Sequence, residues 1–214
     1  MTVGRGGLQT VPSASGIVLA GGRSLRFGRN KLAEPVGDGP LLDRPIRALA
    51  PLVREIVVAL SPSGEPPLQP NGLEGDVEVR IARDAEEGGG PLVGLLTGLE
   101  HVTEPCVLVV AGDMPSLVPD VLRALLLALS ASGADAQGSA LEARGRVEPL
   151  PLALRTGAAT HAVRRLVADG ERRLGALLDA IPLRTLAEEE WRPLDPTSAT
   201  LMDVDVPSDL DRLT

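Results

Sequence analysis

Residues 16–31 read GIVLAGGRSLRFGRNK. The small and apolar positions 16–20 make a short strand, and Gly21-Gly22 then break it. Glycine turns a backbone sharply and lets a ligand come close, because no side chain stands in the way. Arg23, Arg26, Arg29 and Lys31 follow at once. Arginine offers a planar fork and lysine a mobile point charge, and both suit a polyphosphate. The loop is neither the dinucleotide pattern GxGxxG nor a P-loop ending in Gly-Lys-Ser/Thr. It joins a strand-ending glycine turn to side-chain cations. Lys31 is also the only lysine in the chain. In so arginine-biased a composition, a compact ammonium here reads as a requirement of the chemistry; the plainer alternative is a stray surface lysine.

Downstream, the pattern alternates. Leu41, Leu42, Pro45, Ile46, Leu49 and Leu52 give residues 40–52 a helical stripe. EIVVAL at 55–60 reads as a buried strand, the Pro/Gly/Ser-rich stretch 61–75 as a surface loop, and the alternating 76–82 as a strand with one solvated face. A helix at 92–102, a strand at 107–111 and a helix at 119–130 follow, the last with Pro and Asp in its first turn and Gly133 beyond its end. Strands that are apolar throughout, alternating with helices, predict an α/β protein with a parallel sheet covered on both faces. The second half predicts strands at 135–141 and 148–154 around an Arg144-Gly145-Arg146 turn, helices at 157–168 and 172–181, and strands at 183–186 and 200–204. A closing helix is expected at 207–213. Residues 16–214 are expected to form one domain after a flexible N-terminal extension, 1–15. The 61–75 loop lies inside the sheet pattern and marks no boundary.

Composition narrows the partners. With 43% apolar residues the 214-residue chain can bury a substantial core, built mostly of Leu, Val and Ala. One Phe, one Trp and no Tyr leave no aromatic platform on which to stack bases. A formal charge of −8 argues against a general nucleic-acid or anionic-membrane surface. Cys106 is the sole cysteine, which excludes an internal disulfide or a cysteine-based zinc site; inside an apolar run it reads as a small buried hydrophobe. The first fifteen residues lack the apolar core of a secretory signal. The longest apolar segment, 121–129, contains Arg123 and is too short to span a bilayer. A cytoplasmic protein is the expectation.

In an open parallel sheet, ligands sit beyond the carboxyl ends of the strands. Three features fall at such ends: the 21–31 loop, Asp84 and Asp113. Asp113 follows the 107–111 strand in the sequence Gly112-Asp113-Met114-Pro115. A carboxylate facing a phosphate-holding loop suits Mg²⁺, which takes one or two carboxylates together with phosphate oxygens. The alternative for both aspartates is a turn or capping role. His101 and His161 lie in helical stretches without ligand-like spacing, and Trp191 reads as a staple holding a late loop to the core.

These residues carry a resemblance that extends over nearly the whole chain from residue 16 onward. The sequence is similar to the molybdenum cofactor guanylyltransferases, within the wider nucleotidyltransferase group. The opening matches that family's LAGG-x-x-x-R-M/F-G-x-x-K pattern at Leu19, Ala20, Gly21, Gly22, Arg26, Phe27, Gly28 and Lys31. GPLVGL at 90–95 resembles its GPLAGL segment, with Asp84 at the upstream aspartate, and Gly112-Asp113-Met114-Pro115 resembles its metal motif. Gly170-Glu171-Arg172-Arg173-Leu174 and DVDVPSDL at 203–210 resemble two further segments. The resemblance implies a Rossmann-like, three-layer α/β/α nucleotidyltransferase fold with a mostly parallel central sheet. It implies transfer of GMP from GTP to the phosphate of molybdopterin, with release of pyrophosphate and Mg²⁺ as cofactor. Leu19, Ala20, Gly21 and Gly22 would hold guanine and phosphates, Lys31 the phosphates, Ser61 and Asp84 the nucleoside, and Asp113 the metal. Arg26 and Lys31 would neutralise charge with Asp113, and Arg172 and Arg173 are candidates for the pterin's phosphate or, alternatively, a solvent-exposed pair. Molybdoenzymes or cofactor-inserting chaperones are further candidate partners.

The chain departs from the family in places. Its closing motif has Asp203 and Asp205 where asparagines are common, which makes Asp205 a candidate second metal ligand. Val206 replaces a helix-capping Thr, a loss for which Asp205 or Ser208 is expected to compensate. Ser61 stands where an Asn can occur, and Glu148 precedes Pro149 where a His-Pro pair is found. Two other readings stay open: a nucleotidyltransferase using CTP or a sugar phosphate, and a nucleotide-binding regulator without turnover.

Overall fold

The structure is a computed structural model describing residues 11–21, 30–64, 73 and 77–212. Its first strand, β1 (Ala14–Leu19), starts two residues before the expected 16–20 run, so Ala14 and Ser15, both buried, belong to the sheet and not to the flexible extension expected over 1–15. Next come a single 3-10 turn, Lys31–Ala33, and a small hairpin, β2 (Pro35–Val36) with β3 (Gly39–Pro40). They lead into α1 (Asp43–Leu49), β4 (Glu55–Leu60), β5 (Glu78–Arg83), α2 (Gly90–Leu99), β6 (Cys106–Ala111) and α3 (Pro119–Ala131). The second half holds β7 (Gly138–Ala143), β8 (Arg146–Arg155), α4 (Thr156–Ala168), α5 (Gly175–Ala180), β9 (Leu183–Leu186) and α6 (Glu188–Trp191).

Seven strands form one sheet in the order β5-β4-β1-β6-β8-β7-β9. β1 pairs in parallel with β4 on one side and β6 on the other, so the strand order reverses between β1 and β6. β4–β5 and β7–β9 are also parallel, whereas β8 runs antiparallel to both β6 and β7. The antiparallel step comes from a two-residue hairpin: Arg144 and Gly145 both adopt positive φ, 52° and 72°, the geometry that follows the twist of the flanking strands.

Alternation along the strands builds two cores, one per face. Val18, Leu108 and Val110 pack with Leu122, Leu125 and Trp191. Ile17, Val107 and Val109 pack with Leu92, Leu95 and Val163 on the other side. The three-layer α/β/α arrangement expected from the sequence is the one observed. One contact limits how closely α2 approaches β1: a Cβ on Gly98 would lie 2.7 Å from the Ile17 side chain. Ile17 is fully buried and cannot retreat. Gly98→Val is therefore expected to destabilise the fold by about 1–3 kcal/mol through overpacking, read as a lower midpoint in urea with an unchanged slope.

Beneath the sheet, at the amino ends of its strands, Glu55 ties four segments together. Its carboxylate accepts hydrogen bonds from the Ser15 hydroxyl (2.8 Å), the Thr103 amide (2.6 Å) and hydroxyl (2.7 Å), and the Arg80 guanidinium. Burial pushes the Glu55 pKa up. The Thr103 and Ser15 hydroxyls, the Thr103 amide and the Arg80 charge outweigh it and leave the pKa below the usual 4.5.

Several elements differ from their sequence-based expectations. Residues 200–204 are not a strand. Asp195 accepts the amides of Ala199 and Thr200 at 3.0 and 2.7 Å, and the Thr200 hydroxyl accepts from the Val118 amide at 3.1 Å. These bonds curl Ala199–Leu201 into a 3-10 turn. The helix expected at 172–181 shrinks to Gly175–Ala180, because Glu171 draws the amides of Arg172 and Arg173 onto its carboxylate. The closing helix is a 3-10 segment, Pro207–Arg212. Its missing Thr cap is replaced by neither Asp205 nor Ser208: Asp209 reaches back to accept the amides of Asp205 and Val206, each at 3.0 Å. That is half of a capping box, with proline at the first helical position.

Candidate active site

The reversal of strand order between β1 and β6 opens a crevice at their carboxyl ends, where open α/β sheets bind ligands. The end of β1 is fastened on both sides: the Ala20 amide donates to Ala59 O at 2.8 Å, and the Gly112 amide donates to Leu19 O at 2.9 Å. Immediately beyond, Gly21 is pinched between Asp84 and the backbone of Ser61. A Cβ there would lie 3.2 Å from Asp84 Oδ2 and 3.3 Å from the Ser61 nitrogen. This close approach is what the glycine turn allows.

A cavity of about 250 Å³ lies over this point. Leu19, Ala20, Gly21, Lys31, Asp84 and Asp113 all line it, so six of the residues singled out from sequence converge. Gly90, Gly94, Leu150 and Leu174 complete much of the wall. The last two come from β8 and the turn before α5; Leu174 closes the Gly170–Leu174 segment noted in the sequence, whereas nothing marks Leu150 there as a cavity residue. Gly22 and Arg26 lie outside the described residues. Ser61 flanks the cavity through its amide beside Gly21 and does not line it.

Arg172 and Arg173 do not line the cavity. The Arg172 guanidinium donates to Val167 O (3.1 Å), Glu171 O (3.0 Å) and Glu86 (3.3 Å). Its backbone meets the cavity's lip instead: the Leu92 amide donates to Arg172 O at 3.2 Å, and Gly90 adopts φ +77° where a Cβ would lie 3.0 Å from Arg172 Cβ. Arg173 pairs with Glu171 at 3.1 Å. Hydrogen bonds from the Arg173 side chain first, then from the amides of Arg173 and Arg172, hold Glu171 down at about 2.

At the cavity wall Lys31 and Asp113 form an ion pair. Lys31 Nζ donates to Asp113 Oδ2 at 2.5 Å and to Val204 O at 2.8 Å, and lies 3.9 Å from Asp205 Oδ1. The Val204 amide in turn donates to Asp113 O at 3.0 Å, which holds the 203–206 segment against the end of β6. Asp203 feels the crowding: partial burial of its carboxyl, then the charges of Asp205 and Asp113, push its pKa up, partly countered by Lys31. Negative charge is therefore concentrated where the sequence places phosphate chemistry.

Asp84 is a second unusual carboxylate. Burial pushes its pKa up, a hydrogen bond from Thr97 pulls it down, and the nearby Glu87 charge pushes it up again. Among the described residues its Oδ1 is buried without a hydrogen-bond partner, a condition that costs about 1–3 kcal/mol.

The donor set fits a hard divalent cation held jointly with a ligand. Among the described residues no group of three or more metal-ligating side chains forms a cage. Mg²⁺ commonly binds through one or two carboxylates, with substrate phosphates supplying further oxygens. Asp113, with Asp205 nearby, supplies that number. Among the described residues no helix is long and apolar enough to cross a membrane.

A crevice at a strand-order reversal, with a glycine turn, a lysine and a carboxylate at the next strand end, fits the chemistry of a nucleotidyltransferase, and the comparisons with known proteins give that class. The chain belongs to the MobA-like NTP transferase domain family, whose model matches residues 16–185. It is 36% identical over 199 residues to a probable molybdenum cofactor guanylyltransferase of Chloroflexus aggregans, covering 92% of this chain and 91% of that one. Its structure is similar to that of molybdopterin-guanine dinucleotide biosynthesis protein A from Archaeoglobus fulgidus, with a TM-score of 0.72 at 22% identity over 93% of this chain and 96% of that one. It is also similar to the 2-C-methyl-D-erythritol 4-phosphate cytidylyltransferase of Thermus thermophilus, with a TM-score of 0.64 at 22% identity over 94% of this chain and 97% of that one. The two structural likenesses establish the shared fold.

Proposed function

We propose that the protein is a molybdenum cofactor guanylyltransferase, transferring GMP from GTP to the phosphate of molybdopterin. The observation that carries this reading is the Lys31–Asp113 pair in a cavity floored by the Leu19-Ala20-Gly21 turn. The name of the Chloroflexus relative supports the choice of nucleotide and acceptor.

The chemistry asks little of a base. An oxygen of the pterin phosphate, already anionic, attacks the α-phosphorus of GTP. The bond to the bridging β-phosphate oxygen breaks, and pyrophosphate leaves with the electron pair. Catalysis then reduces to alignment and charge neutralisation. Lys31 supplies a mobile positive charge against the phosphates. Asp113, with Asp205 beside it, would hold Mg²⁺, which when bound neutralises phosphate charge. The orphaned Oδ1 of Asp84 offers an acceptor to a hydroxyl or amino group of the nucleoside. Leu150 and Leu174 give the cavity an apolar wall for a flat ring.

Purified protein incubated with molybdenum-bearing molybdopterin and GTP should release pyrophosphate, and should do so far more slowly with CTP or with sugar-phosphate acceptors. Absence of GTP-dependent release overturns the proposal. Preference for CTP points to a cytidylyltransferase, and GTP binding without turnover on any acceptor points to a regulator. In the same assay Lys31→Arg should lose about 10²-fold in transfer rate, because a fork of different reach misplaces the charge. Circular dichroism should be unchanged, and near-normal activity would make the lone lysine incidental.

A further inference from the structure

We infer that Lys31 is the resident counter-ion of the metal position: in the free protein its ammonium satisfies the oxygens that a divalent cation takes, so metal and nucleotide bind as a coupled pair. This rests on reading Asp113 as a metal ligand. The contacts are those of a cation in an oxygen nest. Nζ sits 2.5 Å from a carboxylate oxygen of Asp113, 2.8 Å from the Val204 carbonyl and 3.9 Å from a carboxylate oxygen of Asp205. Carboxylates and backbone carbonyls are also the donors hard divalent cations choose. Val204 O is fixed in place because its own amide is bonded to Asp113 O. Lys31 stands on a flexible four-carbon stem, so the ammonium can leave without moving the backbone.

The physical consequence is competition. A divalent cation arriving alone must share Asp113 with a positive charge or expel it. A polyphosphate in the cavity changes the balance by giving Lys31 another anion. A ligand shifts such an equilibrium only through its different affinity for the two states, and the coupling acts equally in both directions. Metal should favour nucleotide as much as nucleotide favours metal.

The test is Mn²⁺ binding by the full chain, followed by electron paramagnetic resonance, with and without GTP and with no pterin acceptor. Mn²⁺ held by GTP in solution is subtracted. Without GTP, Lys31→Met and Lys31→Gln should each bind Mn²⁺ about tenfold more tightly than the parent protein, since the competing charge is gone. Glutamine keeps a donor for Val204 O but no charge, so its agreement with methionine separates charge competition from a structural role. With GTP the gap should close to within about threefold. Equal affinities without GTP, a glutamine variant behaving like the parent, or a gap that persists undiminished with GTP would each overturn the inference. Asp113→Asn separates the two readings. If it leaves Mn²⁺ binding in the GTP complex untouched, the metal role of Asp113 falls and the inference with it. If binding depends on Asp113 but the gap is absent, the inference alone falls.

Discussion

Asp113→Asn is expected to reduce nucleotidyl transfer by about 10²–10³-fold, the loss typical when one preorganised charge-stabilising group is removed, while GTP affinity measured without a divalent cation stays within a few-fold of the parent. The amide keeps the size of the side chain and so spares the turn after β6. It removes the negative charge that Lys31 Nζ meets at 2.5 Å and that a divalent cation requires. Nucleotide affinity is expected to hold because the floor of the cavity, Leu19 to Gly21, and Asp84 are untouched. Pyrophosphate release and calorimetric GTP titration on the same preparation check both halves. Turnover within threefold of the parent would remove Asp113 from the reaction.

The largest stability effect is expected at the opposite end of the sheet. Glu55→Ala should cost about 2–4 kcal/mol, because buried donors left without an acceptor cost about 1–3 kcal/mol each while the half-exposed Arg80 can turn to water. It leaves the Ser15 hydroxyl, the Thr103 amide and hydroxyl and the Arg80 guanidinium without their common acceptor. Chemical denaturation reads the loss directly; a change below 1 kcal/mol would show the cluster to be incidental. The same carboxylate predicts a pH dependence. A carboxyl whose pKa is lower folded than unfolded contributes stability that is full above the unfolded value, near 4.5, and is lost as pH falls through the folded value. The parent protein should therefore lose stability below about pH 4.5 more steeply than Glu55→Gln, whose side chain does not titrate there.

The sequence disclosed what local pattern encodes. Apolar runs such as 107–111 and the glycine turn at 21 declare their strand ends, and those ends bring Lys31, Asp84 and Asp113 to one edge of the sheet. It disclosed less where one side chain serves distant segments. Glu55 opens a strand that reads as buried, and only the packing of Thr103 and Ser15 around it turns it into a hub. Val206 looked like a lost cap because the replacement acceptor, Asp209, sits three residues later and reaches backwards. Residues 200–204 have strand-like composition, yet Asp195, which accepts the amides of Ala199 and Thr200, holds the start of this stretch in a turn. Arg172 and Arg173 carried a motif but spend their guanidinium groups on nearby carbonyl and carboxylate oxygens, a preference set by geometry rather than by residue type.

The docking of Val204 on Asp113 separates two events in the life of the chain. The last strand of the sheet ends at Leu186, so a nascent polypeptide can assemble every strand pairing before residue 204 has left the ribosome. Until it does, the hydrogen bond from the Lys31 ammonium to the Val204 carbonyl is not made. Sheet pairing and completion of the Lys31 contacts are thus staggered along the direction of synthesis, because Val204 and Asp205, which reach Lys31, come after the last strand.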